Sequence, residues 1–345
     1  MATVQEQESF IKKYGLLFAI LVMACVWALP TPADLPTAGH RMIGILLFAV
    51  IIWMTECVSY PVSAVVIIVL MTFGLGTAPS VLKPDKILGS AGGLQMAIGG
   101  FSNTSWALVA AALFLAAAMM ITGLDKRIAL YVMSKMGTKS KNMVIGVIAV
   151  GCLLSFFVPS TTARVSCLVP IVLGIIRAFG VKPGSTFAAI MMICVAQADS
   201  LWNVGVKTAA AQNMVAIGFI NQVLGKDISW MEWFTAAAPF AAIMSVLLYW
   251  VVVKILPPEI DELPGGKETI QRLKDEMGPM SAGEKKLLVI SITLLGFWVT
   301  EKMLHPFDTS SVTIVGIMLM FLPKIGVMQW KDTVDKINWG TIVLF

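Results

Sequence analysis

Residues 143–180 read MVIGVIAVGCLLSFFVPSTTARVSCLVPIVLGIIRAFG. Two apolar arms, 143–158 and 165–180, flank Pro159-Ser160-Thr161-Thr162-Ala163-Arg164. Each arm is about 24 Å long at 1.5 Å per residue, short of a hydrocarbon core of about 30 Å. A helix breaker, hydroxyls and a cation at that depth are tolerated only where they line a polar cavity or are buried in protein. The stretch therefore predicts a re-entrant helical hairpin, entering and leaving a membrane on one side. A helix starting at its tip turns unpaired N–H groups and a positive dipole end toward an anion. Ser160, Thr161 and Thr162 add donors, and Arg164 adds charge. The competing reading has Ser160 and Thr161 merely capping the second arm while Arg164 reaches back to the inner interface.

The rest of the chain supports a membrane setting. Of its 345 residues, 58% are hydrophobic and 13% charged, against roughly 25% charged in an ordinary soluble domain. Mean hydropathy is +0.86. That excludes a disordered chain, a soluble enzyme of ordinary composition and a collagen-like fibre, and nothing points to nucleic acid. Apolar runs predict spans at 15–31, 42–56, 60–78, 104–124, 186–222 (interrupted), 235–256, 285–304 and 308–325, with another beginning near 338. Cys25, Cys57, Cys152, Cys167 and Cys194 lie in apolar runs without CxxC spacing. They read as small buried hydrophobes, not as a disulfide framework or metal site.

Charge placement orients the spans. With the N-terminus cytoplasmic and 143–180 re-entrant, Lys12, Lys13, Lys126, Arg127, Lys135, Lys139, Lys141, Arg177, Lys182, Lys254, Lys267, Arg272, Lys274, Lys285, Lys286, Lys324, Lys331 and Lys336 all fall inside. Arg41, Lys83, Lys86, Lys226 and Lys302 fall outside, and Arg164 and Lys207 lie at membrane depth. That is the positive-inside pattern. A single crossing through 143–180 would invert everything after it. The polar stretch 257–284, with a short helical piece near 267–277, reads as a cytoplasmic linker.

An internal repeat divides the chain. Trp53, Thr55, Glu56 and Pro61 recur as Trp298, Thr300, Glu301 and Pro306, each set between two apolar spans. In the charge-derived orientation the two sets lie on opposite sides, the signature of an inverted-topology repeat. Both glutamates read as anchors beside interfacial tryptophans. The domains are then 1–256 (a first span plus the first repeat), the 257–284 linker, and 285–345 as the start of a second, incomplete repeat. The expectation is an N-terminal fragment or half of a split pair.

A second polar interruption occurs at 197–213, QADSLWNVGVKTAAAQN. Asp199, Asn203, Lys207, Thr208 and Asn213 interrupt an apolar run, and Asn203 and Gly205 permit unwinding. A discontinuous helix presenting its broken ends to a midplane site is a common transporter arrangement. Lys207 at the bilayer centre costs about 2.5–3.5 kcal/mol on insertion scales. It therefore needs either a bound anion or an internal pair with Asp199, two turns away on one face. Ser102-Asn103-Thr104 reads as a helix N-cap. An intramembrane protease would want a Ser–His pair or two facing aspartates. His40 and His305 read as loop residues and Asp199 is the one aspartate placed inside a span, so no enzyme is expected.

The repeated Trp-x-Thr-Glu with its Pro, the Ser160-Thr161-Thr162-Ala163-Arg164 tip and the broken helix ending in Gln212-Asn213 together resemble the divalent anion:sodium symporter family. The likeness runs along the whole chain, and the tip is closest to the citrate/dicarboxylate exchanger branch. It implies a homodimeric, multi-pass carrier of the plasma or bacterial inner membrane, moving small di- or tricarboxylates by an elevator mechanism. It also implies substrate contacts from Ser160, Thr161, Thr162, Arg164, Asn203, Lys207, Thr208 and Asn213, and sodium as coupling ion near Ser160, Thr161 and Gly205. Thr161 stands where the family's tip carries Asn, which weakens that sodium site. No other cofactor or metal is expected. Fixed charge on Arg164 and Lys207 would partly replace sodium and favour exchange. The alternatives are a non-transporting fragment, half of a split carrier and, remotely, an intramembrane enzyme.

Overall fold

The computed structural model describes residues 10–178, 180, 184–262 and 266–344. Lys182 and linker residues Leu263, Pro264 and Gly265 lie outside the described residues. The chain is all-α among the described residues and separates into two compact units, residues 1–106 with 338–345, and residues 107–337.

The first unit contains α1 (Phe10–Ala28), α2 (Thr37–Thr55), α3 (Tyr60–Gly76) and α4 (Gly89–Ile98). Ile45, Phe48 and Ile52 of α2 pack with Ala19 and Met23 of α1 and Leu75 of α3. The α2–α3 corner is built by the motif: Trp53 Nε1 donates to Ser63 Oγ at 2.9 Å, and Thr55 Oγ1 donates back to the Ile51 carbonyl at 2.7 Å. Glu56 closes α2 with a left-handed φ of 49°. Helix α4 was not legible as an apolar run. Its glycines let it lie directly on α3, where a methyl at Gly93 would collide with the Thr72 carbonyl oxygen.

The second unit begins with most of α5 (Thr104–Thr122), which Asn103 caps by accepting from Trp106 N at 2.8 Å. Next come α6 (Leu124–Met136), α7 (Ser140–Phe157), α8 (Thr161–Ala178), α9 (Thr186–Gly205), α10 (Ala211–Leu224) and α11 (Trp230–Ile255). It closes with α12 (Gly266–Glu276) in the linker, α13 (Ala282–Val299), α14 (Thr309–Phe321) and a short α15 (Trp330–Val334). The last helix, α16 (Trp339–Leu344), belongs to the first unit and packs on α3. The amphipathic α6, bracketed by positive-φ Gly123 and Gly137, was also missed, because its charged face dilutes the apolar signal that marks a span.

Helix α9 is the spine of the second unit, with α7, α8 and α11 packed against it. Its buried Phe187, Ile190, Met191, Cys194, Val195 and Ala198 form the centre of the main core. Among the described residues, six helices are long and apolar enough to cross a membrane: α1, α2, α5, α7, α9 and α11. The expected arm at 143–158 is thus the 18-residue α7, sufficient by itself to cross. The linker is pinned to the spine by Glu259, whose carboxylate accepts from Thr186 N at 2.6 Å and Phe187 N at 3.2 Å. Those two backbone donors hold Glu259 below the usual glutamate range.

Two expectations are corrected. Cys25 is exposed and Cys57, Cys152 and Cys167 are half-buried, leaving Cys194 as the buried cysteine. His40 is not in a loop: it lies in the first turn of α2, buried, with Nδ1 3.3 Å from Thr31 Oγ1.

Candidate functional site

The tip and the broken helix meet within the second unit. Pro159 has no N–H to continue α7, and the residue before a proline is driven to extended backbone. Val158 accordingly sits at φ −116°, ψ 95°. Ser160 then opens α8: its carbonyl accepts from Arg164 N at 3.0 Å and its hydroxyl from Ala163 N at 3.4 Å. At the other break, α9 ends at Gly205, Val206 is extended, Lys207–Ala209 make one 3-10 turn, and extended Ala210 leads into α10. Gly205 is required by packing as much as by unwinding, since a methyl there would lie 2.8 Å from Ala241 Cβ.

Arg164 joins the two breaks. It is fully buried. Nε donates to Asp199 Oδ1 and Nη2 to Asn203 Oδ1. Nη1 donates to the Val158 carbonyl at 2.5 Å and the Ala209 carbonyl at 3.2 Å. Asn203 Nδ2 continues to Thr161 Oγ1 at 2.6 Å. Asn213, in the first turn of α10, folds its amide onto the end of α9, with Nδ2 2.6 Å from the Asn203 carbonyl, 3.0 Å from that of Val206 and 3.4 Å from that of Lys207. Three of the carbonyls at the break, those of Asn203, Val206 and Lys207, therefore already accept from an amide.

Lys207 and Thr208 turn to a second cluster. Lys207 Nζ lies 2.8 Å from the Ile228 carbonyl, 3.1 Å from Thr309 Oγ1 and 3.4 Å from Glu301 Oε2. Thr208 Oγ1 accepts from Trp230 Nε1 at 3.3 Å. The Glu301 carboxylate also accepts from Trp230 N at 2.6 Å, and from Thr309 N at 3.0 Å and Thr309 Oγ1 at 2.9 Å. It thus holds the starts of α11 and α14 and the broken helix together. The motif's corner geometry recurs here: Trp298 Nε1 donates to Thr313 Oγ1 at 3.1 Å, and Thr300 Oγ1 to the Gly296 carbonyl at 2.8 Å.

Of the residues expected from sequence, the structure brings Ser160, Thr161, Arg164, Asn203 and Asn213 together at one junction, with Thr162 beside them. Lys207 and Thr208 belong to the junction by backbone only. Asp199 pairs with Arg164 rather than with Lys207, and Lys207 pairs with Glu301. Sequence reasoning placed neither acid in the site. The 35-residue and 94-residue separations carry no local signal. Both cations being neutralised, the junction has no net fixed charge to offer in place of a coupling ion. Among the described residues no group of three or more His, Cys, Asp or Glu could hold a metal.

What the junction retains is two helix starts. First-turn N–H groups have no acceptor within their own helix, and α10 begins without a side-chain cap. Thr162 and Gln212 are exposed, and Ser160, Thr161, Asn203 and Ala211 half-buried. Donors, hydroxyls and positive dipole ends are therefore partly exposed at both breaks, an arrangement suited to an anion.

Over residues 11–345 the chain matches the family described as the sodium:sulfate symporter transmembrane region. It is 51% identical over 332 residues to a membrane protein of Cupriavidus necator, covering 96% of this chain and 65% of that protein. It is 25% identical over 356 residues to a sodium-dependent dicarboxylate transporter of Staphylococcus saprophyticus, covering 96% and 65%. A citrate/succinate antiporter of Escherichia coli is 25% identical over 345 residues, covering 96% and 69%. The chain spans about two thirds of the length of the curated relatives it matches.

Proposed function

This chain belongs to the sodium:sulfate symporter family, and we propose that it forms one side of the anion site of a secondary carrier for small di- or tricarboxylates. The observation that carries the reading is the junction itself: two helix starts, α8 and α10, locked together by Arg164 and Asn203 inside a bundle of membrane-length apolar helices. Carboxylates of two or three charges want several charge-assisted donors in fixed positions. Ser160, Thr161, Thr162 and the first-turn N–H groups of α8 and α10 supply them. Asn203 and Asn213 act mainly by holding the breaks in register, and Thr208 and the backbone of Lys207 shape the turn between them.

Neutralisation of Arg164 and Lys207 bears on coupling. The sequence alone favours exchange, with these two charges standing in for a cation. With both paired, a dianion entering a neutral, low-dielectric site needs an accompanying positive charge. Relatives named as a sodium-dependent transporter and as an antiporter fit a coupled carrier of either kind. Sodium here would be cargo, not a resident group. The positive-inside pattern and the repeated corner support a multi-pass inner- or plasma-membrane protein, N-terminus cytoplasmic, with two inverted repeats; although α7 is long enough to cross, the charge placement favours a re-entrant α7–α8 hairpin. A homodimeric state and elevator-type alternating access are what the family resemblance adds.

Counterflow in liposomes reconstituted with the full chain tests the proposal, using succinate, citrate, tartrate and sulfate. Saturable counterflow of a dicarboxylate is expected. Asn203→Ala, which releases Thr161 and one donor of Arg164, should weaken it about tenfold, as expected for about 1–3 kcal/mol of lost buried hydrogen bonding. No saturable counterflow of any of the four, or an unaffected Asn203→Ala variant, would remove the junction from transport.

A further inference from the structure

We infer that Asp199 takes up the positive charge that travels with the anion, that this charge is a proton, and that its arrival frees Arg164 to act on the substrate. The inference rests on the anion-site reading above. Three features of the junction lead to it. Asp199 is fully buried within α9, with Oδ1 taken by Arg164 Nε and Oδ2 enclosed and without a hydrogen-bond partner among the described residues. Buried carboxylate oxygens are almost always matched by a donor, and an unmatched one in a low-dielectric interior is costly. A proton on Oδ2 removes that cost by making the group neutral.

The second feature is what faces it. Arg164 of α8 is the charged group in contact with Asp199. Helices α7 and α11, which also pack on α9, carry their charged residues only near their ends: Lys141 on α7, Glu232 and Lys254 on α11. Ser155, near the C-terminal end of α7, and Ser245, midway along α11, are each bonded within their own helix. The other titratable groups on the helices around Asp199 are the thiols of Cys152, Cys167 and Cys194, the Tyr249 phenol near the C-terminal end of α11, and Arg177 in the last turn of α8. Lys207 is occupied by Glu301. A sodium ion at Oδ2 would stand close to the Arg164 guanidinium, a like-charge contact in a dry interior. A proton avoids this by discharging the acid covalently.

The third feature is the consequence for Arg164. While Asp199 is ionised, the guanidinium is compensated and adds nothing to the binding of a dianion. Once Asp199 is a neutral acid, the full positive charge of Arg164 acts at a junction two hydrogen bonds from Thr161, through Asn203. Anion and proton then bind cooperatively, and by linkage each favours the other to the same extent. The proton is taken from the aqueous phase on the side the anion enters and returned on the other side. No other bond is made or broken.

The test is anion binding and liposome uptake between about pH 7 and 8.5, far enough above the carboxylate range that succinate and tartrate are almost wholly dianions. In the absence of sodium, succinate affinity should rise as pH falls, approaching tenfold per pH unit. An inward acid gradient should drive accumulation. Asp199→Asn, a fixed neutral form, should lose both the pH slope and the acid-driven accumulation. If that variant does not fold, the Arg164→Gln/Asp199→Asn double variant leaves no buried charge unpaired. It should bind succinate weakly and with no pH slope. A pH slope that survives in either variant overturns the inference. So does accumulation in the wild type that follows sodium and ignores the acid gradient. Saturable counterflow with no pH dependence would reject the proton at Asp199 and keep the anion site. Absence of saturable binding at every pH would reject the anion-site reading itself.

Discussion

Replacing Glu301 with Gln tests the largest structural claim made for the broken helix. The carboxylate is 4% exposed and collects four donors, from Lys207 Nζ, Trp230 N, Thr309 N and Thr309 Oγ1. Gln keeps one oxygen acceptor and turns an N–H₂ group toward donors, while Lys207 keeps its charge. Breaking a buried pair by removing one partner costs about 3–5 kcal/mol. Lys207 retains the Ile228 carbonyl and Thr309 Oγ1, which places the expectation near the lower end, about 3 kcal/mol. At about 2 °C per kcal/mol for a chain of this size, thermal melting in detergent should fall by roughly 6 °C. The Lys207→Gln/Glu301→Gln double variant removes the uncompensated charge and should recover about half of that loss. Glu56, the matching residue of the first repeat, supplies the control: its side chain is 63% exposed and 4.0 Å from Lys12. Glu56→Gln should change stability by less than about 0.5 kcal/mol. A Glu301→Gln protein that melts within 2 °C of wild type, or a double variant no better than the single one, would refute the anchoring role.

Two further outcomes follow from other parts of the fold. Glu259 is held below its usual range in the folded chain, so its contribution is present above the ordinary value near 4.5 and disappears as pH falls through the lowered folded value. Hydrogen exchange at Thr186 and Phe187 should be slow at neutral pH relative to a Glu259→Ala variant and match that variant in acid; a difference that persists in acid would exclude the carboxylate as the pin. Gly93→Ala should destabilise the first unit by about 1–3 kcal/mol, because the methyl meets backbone of α3 that cannot swing aside. Gly99→Ala, with open space around its Cα, should be neutral in the same melting assay, and equal effects of the two would contradict the close α3–α4 approach.

Much of the candidate site was readable as local chemistry. Pro159 between two apolar arms dictated the tip, and it lies between α7 and α8. Polar and glycine residues in 197–213 predicted an interrupted helix, and the interruption falls at 206–210. The linker helix expected near 267–277 is α12. Signals failed where an element is not apolar throughout: α4 is glycine-rich and packs by backbone approach, and α6 spreads its apolar residues along one face.

By itself, then, the sequence determined the membrane class, the places where helices must break and the repeated corner motif, because hydropathy, proline and glycine act within a few residues along the chain. Only the tertiary structure decided which charges meet. Asp199 lies eight residues from Lys207 in sequence, yet its partner is Arg164. Glu56 and Glu301 share one motif, and one is exposed while the other is buried on Lys207. Pairing of buried charges is set by which side chains arrive together when their helices pack, since low-dielectric burial makes an unmatched charge costly wherever its partner sits in the chain.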